Sequence, residues 1–347
     1  MNMEKKHNTF RFCMQALLFA SPIIVVLGMY VVLDPFRVVR HHEDISADSF
    51  LPLNKDFAST EIYLRNAPTE QFNSFLLGSS RTMAYRLDTW KKQLPNTAKP
   101  FAFDASKETL WGIEKKLELL DSLKAPINDV LIIIDPLNTF APMRNSTGHL
   151  FIKDPRVSEE SKFTFEKTFL EAWFADLFFV KYIDYACFGK VRPYMEGVLA
   201  IDENNLMDPI TAERNMGIER YIVSNPDSFY TARAAIFYVR DTTQQKNYPP
   251  MITADHVRAL DSIHRITEKN NARLEVVISP GYDLAAIDAT DLAALQHAFG
   301  TKHVHDYSGI NSITKDIRNY IESSHYRQHV GAQIMQEIYD DDQRTQK

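Results

Sequence analysis

Residues 72–81 read FNSFLLGSSR, and the reading of the rest of the chain turns on them. Phe72 to Leu77 form a short, mostly apolar run that Gly78 ends, which predicts a buried strand. Two hydroxyls, Ser79 and Ser80, then stand at the tip of a tight turn, followed by Arg81. Beyond them Met83, Leu87, Trp90 and Leu94 recur near a helical period until Pro95, so residues 82–94 are expected as a helix. The unit is strand, turn, helix.

Working outward, the same alternation continues. A strand is expected at 100–105, then an amphipathic helix at 107–123 with Leu110, Ile113, Leu117 and Leu120 on one face and Ser106 as its cap. Residues 128–135, NDVLIIID, carry an unbroken apolar run from Val130 to Ile134, the pattern of an interior parallel strand buried on both faces. Later come a helix at 252–270, the strand RLEVVISP at 273–280, a short helix at 292–299 and an edge strand at 303–307. A helix at 329–339 closes the chain, with Val330, Ile334 and Ile338 along one face. This succession predicts an α/β fold with an open parallel sheet covered on both sides. Its ligand site belongs beyond the carboxyl ends of the strands, where 78–80, 104–106, 135–139 and 279–282 gather.

Between 140 and 250 the alternation breaks, and a mostly helical insertion is expected, acting as a lid or a docking surface. Phe178, Phe179, Tyr182, Tyr185 and Phe188 either form its core or contact an acyl group or a bilayer, and Cys187 is expected buried among them. Asn145-Ser146-Thr147 matches a glycosylation pattern, which matters only in a host that glycosylates.

Residues 12–33, FCMQALLFASPIIVVLGMYVVL, contain no formal charge. A helix of that length just spans a hydrocarbon core of about 30 Å. Lys5, Lys6 and Arg11 in the tail at 1–11 favour a cytoplasmic N-terminus and an extracytoplasmic body, hence a single-pass inner-membrane anchor. A signal peptide cleaved near Ala20 is the rival reading. Residues 34–70 read as a juxtamembrane tether and domain edge, with His41 and His42 as solvated surface. The two cysteines, Cys13 and Cys187, allow no disulfide within the exported part, and no cysteine and histidine cluster has ligand spacing, so neither metal nor cofactor is expected. With 347 residues and 45% apolar content the chain can bury a large core, and a net charge of −6 argues against a nucleic-acid binder.

FLLGSSR at 75–81, taken with ESSHY at 322–326 and the following Val330-Gly331, resembles the SGNH or GDSL-like hydrolase superfamily. The likeness is to its membrane-anchored bacterial branch, related to polysaccharide and teichoic-acid acyl-modification proteins, and reaches from about 71 to 339 without the insertion. It implies a three-layer flavodoxin-like domain. It also implies a nucleophile at Ser80, with Ser79 as rival, a catalytic base at His325 and an orienting acid at Glu322, where aspartate is more frequent. Oxyanion donors fall on the amides of Ala105 or Ser106, since the second block has no glycine, and on Asn138, with Pro136 where a glycine is usual. Arg81 has two readings: contact with a substrate carboxylate or phosphate, or a pair with Asp104 or Asp135 that braces the turn. Tyr282 and Asp283 line the cleft, Asp306 ends the edge strand or orders the Glu322 loop, and His329 reads as surface.

The chemistry stands apart from the resemblance. A serine hydroxyl is a poor nucleophile until an imidazole within about 2.6–3.2 Å accepts its proton, and a carboxylate fixes the tautomer of that ring. A serine at a helix start also has free amides beside a developing oxyanion. The leading expectation is a serine esterase or O-acyltransferase acting on a cell-envelope glycan or an acylated small molecule, alongside a membrane acyltransferase partner. The alternative is a noncatalytic assembly or glycan-binding component of a polysaccharide-modification complex.

Overall fold

The computed structural model describes residues 2–45, 51–144, 147–199 and 207–345; Asn145 and Ser146 of the glycosylation pattern lie outside them. Strands β1 (Ser74–Gly78), β2 (Pro100–Ala102), β3 (Asp129–Ile134), β4 (Arg273–Ile278) and β5 (Val304–Asp306) form one sheet. All neighbours are parallel, in the order β2-β1-β3-β4-β5, which is the flavodoxin-like order. The helices discussed are α1 (Asn2–Leu33), α2 (Lys55–Glu70), α3 (Leu110–Ser122), α4 (Lys162–Phe174), α5 (Phe178–Phe188), α6 (Ile218–Ser224), α7 (Pro226–Ala232), α8 (Ala254–Lys269), α9 (Ala289–Phe299) and α10 (Gln328–Thr345).

Side chains alternate across a strand, and both faces of β3 are covered. Val130, Ile132 and Ile134 join a core with Ile62 of α2, Ile113 and Leu117 of α3, Ile263 of α8 and Leu295 of α9. Leu131 and Ile133 face the other layer, with Trp90 and with Val330 and Ile334 of α10. A run of consecutive apolar residues is therefore what this strand needs. The sheet lies between two helical layers.

The expected helix over 82–94 is not continuous. Residues Ser80–Ala84 form a 3-10 turn, Tyr85 and Arg86 are extended, and a short helix follows at Leu87–Lys91. The reason is the crossing of α10. A Cβ at Gly331 would lie 2.2 Å from the Ala84 carbonyl oxygen, so the helix backbone rests directly on this turn. The Trp90 indole donates to the Tyr339 hydroxyl at 2.8 Å and fastens the same contact further along. Helix α3 begins later than its pattern suggests, because Lys107 has φ of +50° and turns the chain first. Its cap is Thr109, which accepts the Gly112 N–H, rather than Ser106.

Helix α1 contains Thr9–Leu33, long and apolar enough to cross a membrane, and Pro22 lies inside it without ending it. The segment after it is folded. The buried Asp34 carboxylate accepts the N–H groups of Val38, Val39 and Arg40 at 2.9–3.2 Å and meets the His42 ring at 2.9 Å, so His42 is held rather than merely solvated. Helix α2, expected at an edge, buries Ala58, Ile62 and Tyr63 in the core.

In the insertion, Phe169 and Trp173 of α4 and Phe178 and Tyr182 of α5 are buried, with Trp173 and Tyr30 of α1 at a ring separation of 5.8 Å. Cys187 is exposed, against expectation. Nine residues beyond Phe178 is two and a half helical turns, which puts Cys187 on the opposite face.

Replacing Gly331 by alanine is expected to lower the denaturant midpoint. Helix preference alone would stabilise the variant by about 1 kcal/mol, whereas overpacking against backbone costs about 1–3 kcal/mol. The sign of the change in a urea melt therefore tests the α10 contact.

Candidate active site

Ser80 opens the 3-10 turn directly beyond β1, at the rim where β1 and β3 end. From the other end of the sequence comes an antiparallel hairpin, β6 (Tyr320–Glu322) and β7 (His325–Tyr326), in which Glu322 is the partner of His325. The hairpin brings His325 Nε2 to 2.7 Å from Ser80 Oγ across 245 positions of sequence. The other ring nitrogen, Nδ1, contacts Glu322 Oε1. The second carboxylate oxygen accepts the Ser324 N–H at 2.7 Å. With Glu322 facing Nδ1, the neutral ring carries its hydrogen there, and Nε2 is left to accept the serine proton.

The electrostatics suit this arrangement. Burial pushes the Glu322 carboxyl up, but the His325 N–H, the His325 charge and the Ser324 amide outweigh burial and hold it below the usual carboxylate range. Glu322 therefore stays ionised where a neighbouring imidazolium would need it.

Arg81 adjoins the pair. Its Nε lies 3.4 Å from Asp135 Oδ2 and 3.2 Å from the Ser324 carbonyl oxygen, to which it donates. Arg81 and Asp135 are both buried. Of the two carboxylates expected near Arg81, Asp135 is thus its partner. Asp104 instead sits 3.2 Å from Lys55 Nζ and accepts from Thr82 Oγ1 at 2.8 Å.

The expected oxyanion donors differ in what remains free. The Ala105 N–H is given to the Gly78 carbonyl at 3.1 Å. Asn138 directs one amide hydrogen to Asp135 Oδ2 at 2.6 Å, leaving its second. Among the described residues no backbone acceptor takes up the Ser80, Arg81 or Ser106 amide. The Ser79 hydroxyl is buried and has no hydrogen-bond partner among the described residues, whereas Ser80 is the serine that meets the imidazole.

Other residues singled out from sequence have separate duties. The Tyr282 hydroxyl donates to the Tyr238 carbonyl at 2.9 Å, and the Arg240 guanidinium lies 3.8 Å from the Tyr282 ring centre. Asp283 accepts the Tyr248 hydroxyl at 2.5 Å. Asp306 ends β5 and receives the Ser308 N–H at 2.8 Å, ordering its own turn rather than the Glu322 loop. The His329 ring is bound to Asn319 Oδ1 at 2.8 Å.

A buried ionic network near this turn has no counterpart in the sequence reading. Lys116 lies 2.9 Å from Asp56 and 2.7 Å from Glu108, and Lys153 contacts Glu108 and lies 3.5 Å from Asp56. Burial opposes the Lys116 charge, but Asp56 and Glu108 outweigh it and raise the ammonium above its ordinary range. At Lys55 burial prevails over Asp104 and pulls the ammonium down to about 8. The Thr82 hydroxyl, 2.8 Å from both Asp104 and the Ser79 carbonyl oxygen, links Asp104 to the serine turn.

Cavities of about 400 Å³ beside Arg37–His42 and about 660 Å³ beside Gln71–Asn73 lie elsewhere; Ser80 and His325 are partly exposed at the rim of the sheet. Comparison with models of protein families, with curated proteins and with solved structures gives no match.

Arg81→Ala would leave Asp135 buried without its cation, and a loss of about 3–5 kcal/mol in unfolding free energy is expected from denaturant melts. Glu322 gives a pH signature. Because its folded pKa is depressed, its stabilisation is complete above the unfolded value of about 4.3 and is lost as pH falls through the folded value. The stability gap between the wild type and Glu322→Gln should be present at about pH 5 and shrink below about pH 4.

Proposed function

We propose that the chain is an extracytoplasmic serine esterase or O-acyltransferase, anchored by α1, that acts on acyl or acetyl esters of a cell-envelope glycan. The observation that carries this reading is the continuous path from Glu322 through His325 to Ser80, with the 2.7 Å contact between Nε2 and Oγ. The order of the FLLGSSR and ESSHY segments, which resembles the SGNH superfamily, supports the same assignment, as does the parallel sheet that ends at this rim. Lys5, Lys6 and Arg11 before the apolar span support an outward-facing body.

In this reading Ser80 Oγ attacks the ester carbonyl while His325 Nε2 takes its proton. The tetrahedral oxyanion is received by the Ser80 and Arg81 amides and by the second hydrogen of Asn138. Collapse breaks the bond to the sugar oxygen, which leaves with the proton returned from Nε2 and yields an acyl-serine. Water or a sugar hydroxyl, deprotonated by the same nitrogen, then takes the acyl group. Hydrolysis and transfer share every step but the last acceptor.

A second reading, a noncatalytic docking or glycan-binding component of a membrane acylation complex, draws on the Ala105 amide, a donor the resemblance would use, being committed to Gly78.

One experiment separates the two. The purified protein should label stoichiometrically at Ser80 with a fluorophosphonate, and His325→Ala should abolish the label. Ser80→Ala should reduce release of acetate from an aryl acetate or an acetylated glycan by about 10⁴–10⁶-fold. Equal turnover in wild type and variant would end the esterase reading. Appearance of ester on an added glycan, at the expense of free acid, would mark a transferase.

A further inference from the structure

The hairpin of α4 and α5 has two unlike faces. Its inner face packs Phe169, Trp173, Phe178 and Tyr182 into one cluster with Val26, Met29, Tyr30 and Leu33 of α1. Its outer face leaves Phe174, Leu177, Val180 and Phe188 from 41% to 64% exposed, and Val191 and Tyr194 in the segment after α5 are each 49% exposed. A row of large apolar side chains on one face marks an interaction surface rather than scattered surface residues. Asp184 lies along the same stripe, but its carboxylate is bound by the Arg192 guanidinium at 2.7 Å and by the Tyr194 hydroxyl.

What covers this face is indicated by where the hairpin is fastened. The apolar span of α1, Thr9–Leu33, has 25 residues, a length of about 37 Å against a hydrocarbon core of about 30 Å. Val26 to Leu33 make up about the last 10 Å of that length. A hairpin in contact with Val26 therefore sits at the boundary between acyl chains and headgroups. Aromatic side chains concentrate at that depth, and amphipathic helices lie there with the apolar face inward. Just past the span a cavity is lined by Arg37, Arg40 and Lys162 together with Glu61, Asp154 and Glu166, a mixed-charge surface of the kind that stays in the headgroup region.

We propose that the outer face of the α4–α5 hairpin lies in the interfacial layer of the bilayer that α1 crosses, so that the body is seated on the membrane at two points. The inference rests on α1 being a bilayer span, as the proposed function also requires.

The native Cys187, exposed beside Phe188, allows a direct test. Full-length Cys13→Ala protein is reconstituted in liposomes of phosphatidylcholine and phosphatidylglycerol, and Cys187 is labelled with a polarity-sensitive fluorophore. A second label is placed by Leu177→Cys in a background lacking both native cysteines, and an aqueous reference by Val257→Cys in the same background. Both hairpin labels should shift to the blue, and nitroxide lipids should quench them several-fold more strongly than the Val257 label, while iodide quenches them less. If the protein floats with the liposomes but the hairpin labels remain open to iodide and insensitive to nitroxide lipid, the proposal is overturned and the face belongs to a protein partner. If the protein fails to float, the anchor and the hairpin proposal fall together.

Discussion

The guanidinium of Arg81 joins three segments that are distant in sequence. It stands beside the serine of the turn after β1, faces the carboxylate that ends β3, and donates to the Ser324 carbonyl inside the β6–β7 hairpin. Ser80 is the immediate chain neighbour of Arg81 itself, and His325 is that of Ser324, whose carbonyl the Arg81 side chain holds. The position of hydroxyl and imidazole is thus set by backbone that a buried ion pair restrains on both sides. An exposed pair could not do this, since solvent and side-chain freedom would absorb most of its attraction.

A second layer of buried charge supports the first. Lys55, Lys116 and Lys153 are set against Asp56, Asp104 and Glu108, all with side chains almost wholly withdrawn from water. Such a network adds little net stability over an apolar core of the same volume. Its directional contacts instead fix register, here between α2, the end of β2, α3 and the start of the insertion. Through Thr82 that register reaches the serine turn. The Coulomb energy is spent on placement.

Features governed by local pattern were legible in the sequence, and features governed by distant partners were not. Val130 to Ile134 announced an interior strand because both of its faces are covered by helices. Gly78-Ser79-Ser80 announced a turn at the rim, and the order of two short segments indicated that Ser80 and His325 come together. The interrupted helix after Ser80 could not be read from Met83, Leu87, Trp90 and Leu94, whose spacing is helical. The interruption is imposed by Gly331 resting on Ala84, a contact made across most of the chain. The Lys55 and Asp104 pair is likewise invisible locally, since neither residue has a neighbour in sequence that would identify its partner. Cys187 shows the reverse error: its aromatic neighbours alone point to burial, although a helix has two sides and Cys187 is on the exposed one.

The packing of Tyr30 and Leu33 into the same cluster as Trp173, together with the folded loop around Asp34, has a mechanical consequence. A body on a slack leash would move freely about the helix that precedes it. This one is welded to its post, so under the proposed anchoring by α1 the altitude of Ser80 changes only as the post itself leans. Under the same proposal a substrate must bring its reacting bond to that height.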